Sequence, residues 1–144
     1  LSLRRQRQMC TRDSNTYGPG QPTNRFVASM VQTLRDGQTA TLNFPDRVRD
    51  FVYVNDVAAC ISYAVTTSAP GVTDADIGTG TGTSLREVAL RIAGLLDRPS
   101  DLVRSTEPRP LDPHPSAVCV VPHGTFGLCT TTLDEGLRRM LEDA

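Results

Sequence analysis

The sequence predicts an α/β fold, because segments with the apolar spacing of helices alternate with short segments that indicate strands. The chain has 144 residues and a mass of 15.6 kDa, which is the size of one ordinary domain. We therefore expect a single domain over residues 1–144. Residues 1–13 are mostly polar and basic without a regular period, so we expect them to form an irregular, poorly ordered lead-in.

The charge composition excludes several classes of partner. The 15 basic residues are all arginine and face 16 acidic residues, which gives a formal net charge of −1. This balance argues against a nucleic acid and against a membrane surface. The apolar runs are too short to cross a bilayer, and no apolar segment of a secretory signal is visible. We expect a cytoplasmic protein with reduced cysteines.

The first elements along the chain are a loop and a helix. Residues 15–23 are rich in Gly and Pro and predict a loop. Apolar side chains then recur at helical spacing over residues 26–34, with Asn24 as the expected N-cap and Gly37 as the expected end.

Two strands and a second helix follow. Residues 39–44 predict a short strand, Pro45-Asp46 a turn, and residues 49–54 an alternating strand. We expect Asn55 or Asp56 to cap the next helix. The expected apolar stripe of that helix consists of Val57, Ile61, Ala64 and Val65.

The clearest helix signal comes after a glycine run. A loop at Pro70-Gly71 leads to a predicted buried strand over residues 75–77 and a glycine-rich turn over residues 78–82. Ser84 and Glu87 have the spacing of a capping box. The expected inner face of this helix consists of Leu85, Val88, Ala89, Ile92, Leu95 and Leu96.

The last part of the chain is proline-rich before it becomes helical. Residues 99–116 carry five prolines and predict irregular structure, and residues 118–121 indicate a strand. Thr132 and Glu135 repeat the capping pattern at the start of a final helix. Its expected inner face consists of Leu133, Leu137, Met140 and Leu141.

The glycine run has two interpretations. A strand, then Gly78-x-Gly80, then a capped helix is the outline of a dinucleotide-binding turn, in which backbone N–H groups approach a phosphate. The sixth position is Thr83 rather than Gly, and no acidic residue closes a second strand at the usual distance. A tight connection from strand to helix is therefore the favoured interpretation.

Arg49 also has two interpretations. An arginine at the start of a strand, facing a cleft, can bind a diphosphate through two parallel hydrogen bonds. The alternative is a surface arginine paired with Asp50 or Asp46, and the residues alone favour this alternative.

Four cysteines are present, and no two of them form a C-x-x-C pair: Cys10, Cys60, Cys119 and Cys129. Cys119 and Cys129, with His114 and His123, would be the candidates for a metal cluster. Their C-x3-H and H-x5-C spacings match no common zinc pattern. We predict no metal site, with separate core cysteines and surface histidines, and Cys60 as a small apolar core residue of a helix.

Five segments of the chain together resemble one known family. They are Arg12-x-x-Asn15-Thr16-Tyr17-Gly18-Pro19-Gly20-Gln21, Arg49-Asp50-Phe51-Val52-Tyr53-Val54-Asn55-Asp56-Val57-Ala58, Ile77-Gly78-Thr79-Gly80 with Ser84-Leu85, Arg109-Pro110-x-Asp112-Pro113, and Phe126-Gly127 with Leu133-x-x-Gly136-Leu137. In order and spacing they resemble the NAD-dependent epimerase/dehydratase family, the extended short-chain dehydrogenases that act on nucleotide sugars.

The resemblance implies the C-terminal portion of a Rossmann-like extended short-chain dehydrogenase, with the substrate-binding lobe and without the N-terminal dinucleotide-binding half. It implies that Asn15, Arg49 and Arg109 bind the diphosphate of a UDP- or dTDP-linked sugar, and for Arg49 it favours ligand binding over a surface ion pair. It places Tyr17-Gly18-Pro19 near the nicotinamide end of the cleft, and residues 22–25 near the base.

The resemblance also implies an incomplete enzyme. The chain has no lysine, so it cannot contain the Tyr-x-x-x-Lys of the family, and it has no glycine-rich NAD fingerprint. We assign no catalytic residue and expect no binding of NAD or NADP by this chain alone. A homo-oligomer or a separate N-terminal half is the expected protein partner. The alternative is a repurposed or decayed fragment, acting as an oligomeric interaction module or as a small enzyme with a different site.

Overall fold

The computed structural model describes residues 15–67, 77–106 and 127–142. Within these ranges, helices and short strands form an α/β arrangement with two small sheets, which confirms the predicted fold class. The strands are β1 (Asn15–Tyr17), β2 (Ala40–Leu42), β3 (Val48–Tyr53), β4 (Gly82–Ser84) and β5 (Val103–Ser105). The helices are α1 (Phe26–Arg35), α2 (Val54–Thr67), α3 (Leu85–Leu95) and α4 (Leu133–Glu142).

The two sheets are small and mostly parallel. In the first, β3 lies between β1 and β4, parallel to β1 and antiparallel to β4. In the second, β2 and β5 pair in parallel. The strands predicted over residues 39–44 and 49–54 are confirmed as β2 and β3, with β2 shorter than expected.

Two strands contradict the sequence prediction. Residues 15–17 were expected in a loop but form β1, because they pair with Phe51–Tyr53 and bury Tyr17. The Gly- and Pro-rich composition that predicted the loop begins only at residue 18. Residues 103–105 were expected to be irregular but form β5, because Val103 is buried and pairs with Ala40. In both cases long-range pairing decides the local conformation.

The core lies on both faces of β3, because successive side chains of a strand point in opposite directions. Phe51 and Tyr53 belong to the larger cluster, which contains Tyr17 and the inner faces of α1, α3 and α4. Val52 lies on the opposite face and packs with Cys60. The first sheet therefore has apolar contacts on each side.

Helix α1 forms as predicted, but its N-cap is Arg25 rather than Asn24. Arg25 has an extended backbone and makes no side-chain cap bond. Its N–H donates to the carbonyl oxygen of Pro22 at 3.0 Å, so Asn24 lies inside the preceding turn. Gly37 ends the helix as expected, since its φ of 70° is in the left-handed region and its N–H donates to the carbonyl oxygen of Leu34 at 3.1 Å.

Helix α2 begins at Val54, directly after β3. Neither Asn55 nor Asp56 therefore precedes the helix as a cap, which makes that prediction wrong. The carboxylate of Asp56 instead accepts hydrogen bonds from Thr131, far along the chain.

The predicted apolar stripe of α2 is only partly correct. Cys60 is buried, as predicted, and Val57 packs beside it. Ile61 and Val65 are 41% and 71% exposed, so they were wrongly assigned to the inner face. With Val57 and Cys60 toward the sheet, Ile61 lies at the edge of the inner face and Val65 lies further round the helix, which matches their rising exposure.

Helices α3 and α4 form as predicted. The hydroxyl oxygen of Ser84 accepts from the N–H of Glu87 at 3.1 Å, and that of Thr132 accepts from the N–H of Glu135 at 3.3 Å. The predicted inner faces hold the buried residues Val88, Ala89, Ile92, Leu137 and Met140.

Several predictions lie outside the described residues. These are the lead-in over residues 1–13, the Pro70-Gly71 loop, most of the strand over 75–77, residues 107–116 and the strand over 118–121. Ile77 is described; it is buried but belongs to no strand. The single-domain organisation stays a prediction. Among the helices that the structure describes, none combines the length and the apolar character needed to cross a membrane.

Candidate functional site

The register of β1 on β3 brings together two of the three predicted ligand residues. Asn15 pairs with Phe51, and Arg49 precedes Phe51 by two residues on the same strand. Paired residues of neighbouring strands share a face, as do residues two apart on one strand, so Asn15 and Arg49 lie on one face. Their Cα atoms are about 8 Å apart by strand geometry. Asn15 is exposed and Arg49 is half-buried.

The backbone around Arg49 also orients its guanidinium. Nη1 of Arg49 donates to the carbonyl oxygen of Val48 at 2.7 Å. On the other side of β3, Arg49 pairs with Thr83 of β4, which is buried. The backbone of Arg49 is therefore fixed by its pairing with β4.

The third predicted ligand residue, Arg109, lies outside the described residues. Its predicted contact with the diphosphate stays a prediction. The described part of the site thus consists of one amide and one guanidinium.

Tyr17 is a core residue. Its side chain is 1% exposed, with ring centroids of Phe51 and Tyr53 at 6.4 and 5.8 Å. Its hydroxyl donates to the carbonyl oxygen of Leu133 at 3.2 Å. Burial, and next the negative charge of Asp56, raise the pKa of Tyr17 above its usual value. The phenol is therefore neutral and held in the interior, and the role of Tyr17 near the nicotinamide stays a prediction.

Gly18 allows the loop after β1 to approach the start of α2. A Cβ atom at Gly18 would lie 2.4 Å from Cγ1 of Val54, closer than any real contact. Gly18 is buried and Pro19 is half-buried. The structure thus gives Gly18 a packing role, and its predicted role near a cofactor stays a prediction.

A buried carboxylate organises the glycine-rich turn. Asp50 is fully buried, and its Oδ2 accepts from the N–H groups of Thr79 and Gly80, each at 3.0 Å. Its Oδ1 accepts from the hydroxyl of Thr79 at 2.5 Å. Because these N–H groups serve Asp50, they are not directed at a bound phosphate. The structure favours the tight connection over the dinucleotide-binding turn.

A second carboxylate ties α2 to the segment before α4. Asp56 is buried, and its two oxygens accept from the N–H and the hydroxyl of Thr131 at 2.8 and 2.7 Å. Both donors belong to a residue 75 positions further along the chain than Asp56. The segment before α4 is thereby held against the first turn of α2.

A polar cleft of about 290 Å³ lies where β3, β4 and the start of α4 meet. Arg91 lies at its wall and donates to Glu87 and Asp134 at 2.6 and 2.9 Å, so its charge is balanced. These hydrogen bonds raise the pKa of Arg91. The sequence did not indicate this cleft, because its polar lining comes from three separate segments. The threonines that line it are Thr79, Thr81, Thr83, Thr130, Thr131 and Thr132.

Two cysteines that we predicted to be separate are in contact. The sulfur atoms of Cys60 and Cys129 are 3.8 Å apart, although the residues are 69 positions apart in the chain. No short-range spacing could have shown this contact. Within residues 15–67, 77–106 and 127–142, no group of three or more His, Cys, Asp or Glu could hold a metal ion. The remaining candidates for a metal, His114, Cys119 and His123, lie outside these ranges.

The fold and the motifs agree with a known family. The chain belongs to the NAD dependent epimerase/dehydratase family, whose sequence model matches residues 3–78. It is 29% identical over 76 residues to CDP-abequose synthase of Salmonella typhimurium, a match that covers 51% of this chain and 25% of that protein.

Two solved structures show the same fold over 94% of this chain. One is dTDP-glucose 4,6-dehydratase from Bacillus anthracis in complex with NAD, with a TM-score of 0.74, 20% identity and 43% of that chain covered. The other is UDP-glucose 4-epimerase from Thermotoga maritima with UDP-glucose, with a TM-score of 0.76, 22% identity and 45% of that chain covered. The architecture is thus part of a Rossmann-like extended short-chain dehydrogenase, and the chain spans less than half the length of these proteins.

Proposed function

We propose that this chain is the nucleotide-sugar-binding portion of an NAD- or NADP-dependent sugar-nucleotide epimerase or dehydratase. The observation that carries the proposal is the register of β1 on β3, which places Asn15 and Arg49 on one face. Family membership supports it, as do a structural neighbour that holds UDP-glucose and another named for dTDP-glucose. The proposed ligand is a UDP- or dTDP-linked sugar.

The chemistry of the two side chains suits a diphosphate. The guanidinium of Arg49 is always charged, and its planar fork matches two phosphate oxygens. The amide of Asn15 supplies uncharged N–H donors beside it. Arg109 is the third proposed donor. Two arginines would balance the charge of the diphosphate, and the amide would fix its orientation.

The proposed activity needs more than this chain. Epimerisation or dehydration in this family begins with transient oxidation of the sugar by NAD or NADP. A chain without lysine cannot supply the Tyr-x-x-x-Lys pair that moves the proton. We therefore propose that the isolated chain binds the nucleotide sugar without turning it over.

The second edge of β1 supports the proposal that a protein partner completes the first sheet. Among the described strands, β1 pairs with β3 alone, so its second edge carries no described strand. Asn15 and Thr16 are exposed. A strand edge that carries no neighbouring strand is a template for another strand. The proposed occupant is a strand of the N-terminal half, supplied by a separate chain.

Isothermal titration calorimetry tests the binding proposal. UDP-glucose and dTDP-glucose are titrated into the chain, into Arg49→Met and into Arg138→Met. Arg138 is an exposed residue of α4 and serves as the matched control. We expect Arg49→Met to weaken binding about 10- to 100-fold, because a charge-assisted bond to phosphate is lost. Arg138→Met should bind as the unaltered chain does.

Two results would contradict the proposal. Absence of heat with both ligands at millimolar concentration would exclude the nucleotide-sugar site. Turnover of either sugar nucleotide by the isolated chain would contradict the proposal that this chain alone is inactive.

The outer face of α2 favours a second candidate, an oligomeric interaction module. Ile61 and Val65, one turn apart on this helix, are 41% and 71% exposed. Exposed apolar residues on one element are typical of surfaces that contact another protein. Light scattering tests this candidate: a stable oligomer supports it, and a monomer at high concentration argues against it. The oligomeric state and the cytoplasmic location stay predictions.

A further inference from the structure

Two thiols meet beside the polar cleft. Cys60 lies on α2, and Cys129 lies in the segment before α4, with 3.8 Å between their sulfur atoms. Cys60 is buried at 2% exposure, whereas Cys129 is half-buried and lines the cleft. A small molecule in the cleft can therefore reach Cys129, whereas Cys60 does not line the cleft.

The native structure holds both thiols in place. Asp56 lies one turn before Cys60 on α2, and Thr131 follows Cys129 by two residues. The two hydrogen bonds between Asp56 and Thr131 therefore join the same two segments that carry the thiols. Val52 and Cys60 belong to one buried apolar cluster, and Cys129 packs against that cluster. The contact is thus part of the folded core rather than a chance approach of mobile side chains.

We propose that Cys60 and Cys129 form a reversible dithiol–disulfide pair whose oxidant is a small-molecule disulfide. A disulfide needs a sulfur–sulfur distance of about 2.05 Å, so the sulfur atoms must move together by less than 2 Å, which is about the reach of side-chain rotation. Nothing in the proposed sugar-nucleotide function uses these thiols.

The reaction runs in two exchange steps. Burial raises the pKa of the Cys129 thiol to about 12, so this thiol must first lose its proton. Its thiolate then attacks one sulfur of the small disulfide, a mixed disulfide forms, and one small thiolate leaves. The thiolate of Cys60 then attacks the Cys129 sulfur, the internal disulfide forms, and the second small thiolate leaves. The two cysteine protons go to solvent or to the departing thiolates. The protein loses two electrons and the small disulfide gains them.

The bond would change the segment next to the cleft. It would join α2 covalently to the segment that carries Thr130, Thr131 and Thr132, which form part of the cleft lining. The reduced chain holds these parts together by the Asp56–Thr131 bonds, and the oxidised chain would add a covalent link. Oxidation is therefore expected to raise the resistance of this part of the fold to unfolding.

Mass spectrometry in a glutathione redox buffer tests the proposal. The chain carries Cys10→Ser and Cys119→Ser, so that only Cys60 and Cys129 remain. After equilibration with reduced and oxidised glutathione, the sample is quenched with acid and alkylated with N-ethylmaleimide. We expect a product that has lost both thiol hydrogens and takes up no maleimide. It should exceed the glutathione mixed disulfide about tenfold or more, because the second thiol is already in place.

The same buffer with concentrated urea is the matched control. Unfolding separates the two thiols, so the excess over mixed disulfide should fall sharply. Free thiols or glutathione adducts as the main native product would overturn the proposal. An equal excess with and without urea would overturn it as well, since the fold would then play no part.

The unaltered chain provides a second measurement if the doubly substituted chain does not fold. Chymotryptic cleavage after Phe126 separates Cys119 from Cys129. A peptide pair joining Cys60 to Cys129 then reports the same bond. If native oxidation joins other cysteines instead, the proposal is wrong.

Discussion

Gly136 of α4 lies directly against the phenol of Tyr17 on β1. A Cβ atom at Gly136 would lie 2.1 Å from the hydroxyl oxygen and 2.9 Å from Cζ of Tyr17, and 3.1 Å from Cδ2 of Tyr53. The Tyr17 hydroxyl donates to the carbonyl oxygen of Leu133, in the turn of α4 before Gly136. The missing side chain at residue 136 is what lets α4 dock on the first sheet.

We predict that Gly136→Ala lowers the free energy of unfolding by about 1–3 kcal/mol. The added methyl group would overlap the Tyr17 ring, so α4 or the ring must shift. This cost outweighs the helix propensity that alanine gains over glycine, about 0.5–1 kcal/mol. Urea unfolding monitored by circular dichroism measures the change.

Gly94→Ala is the matched control for this prediction. Gly94 lies in α3, is exposed, and has nothing within 4 Å of its Cβ position. Only the helix propensity changes there, so Gly94→Ala should stabilise the chain by about 0.5–1 kcal/mol. Equal effects at the two glycines would show that the Tyr17 contact does not constrain α4.

Local patterns predicted the helices better than the strands. The apolar spacing and the threonine and serine caps located α3 and α4, because both signals lie within the helix itself. Strands β1 and β5 have three residues each and form by pairing with distant segments. A three-residue segment carries too little pattern to show such pairing. The inner face of α2 was assigned wrongly in part, because it depends on how the helix packs on the sheet and not on apolar spacing alone.

The candidate site was predicted by residue type but not by geometry. Resemblance to a family singled out Asn15 and Arg49, yet their common face follows only from the register of β1 on β3. The Cys60–Cys129 contact had no sequence signal, because the two residues lie on separate elements far apart in the chain. Asp50 likewise looked like a surface partner for Arg49 but is fully buried under the glycine-rich turn.

Asp50→Asn should lower the free energy of unfolding by about 2–3 kcal/mol, because the amide replaces a buried acceptor of charge-assisted bonds with a donor group. The N–H groups of Thr79 and Gly80 would lose part of their acceptor capacity. Asp101→Asn is the control, since Asp101 is exposed, and its effect should be near zero. Chemical unfolding measures both variants. Equal stability of the two would mean that Asp50 does not organise the glycine-rich turn.

Thr131→Val should lower the free energy of unfolding by about 1–2 kcal/mol. Valine keeps the shape and the N–H bond to Asp56 but removes the hydroxyl bond at 2.7 Å, which leaves a buried carboxylate oxygen short of a donor. Thr130→Val is the control, because Thr130 is exposed and directly adjacent. Thermal unfolding of the two variants compares them. A loss at Thr130 as large as that at Thr131 would show that the hydroxyl bond to Asp56 is not what stabilises this segment.

Tyr17 should make the fold sensitive to alkaline pH. Burial, followed by the charge of Asp56, raises the pKa of its phenol, whereas the unfolded chain ionises near pH 10. Above that pH the unfolded state binds fewer protons than the folded state, so the free energy of unfolding falls as pH rises. The contribution of one such group is at most about 1.4 kcal/mol per pH unit, and it is absent below pH 10 or so.

The comparison with Tyr17→Phe isolates this effect. Near pH 8 the variant should be less stable by about 1 kcal/mol, because the hydroxyl bond to Leu133 is lost. As the pH rises toward about 11, the difference should shrink and then reverse, since phenylalanine does not ionise. Tyr63→Phe is the comparison variant, because it removes a phenol that is 46% exposed rather than a buried one. Parallel profiles for Tyr17→Phe and the unaltered chain would show that the Tyr17 phenol ionises as readily in the folded state as in the unfolded one.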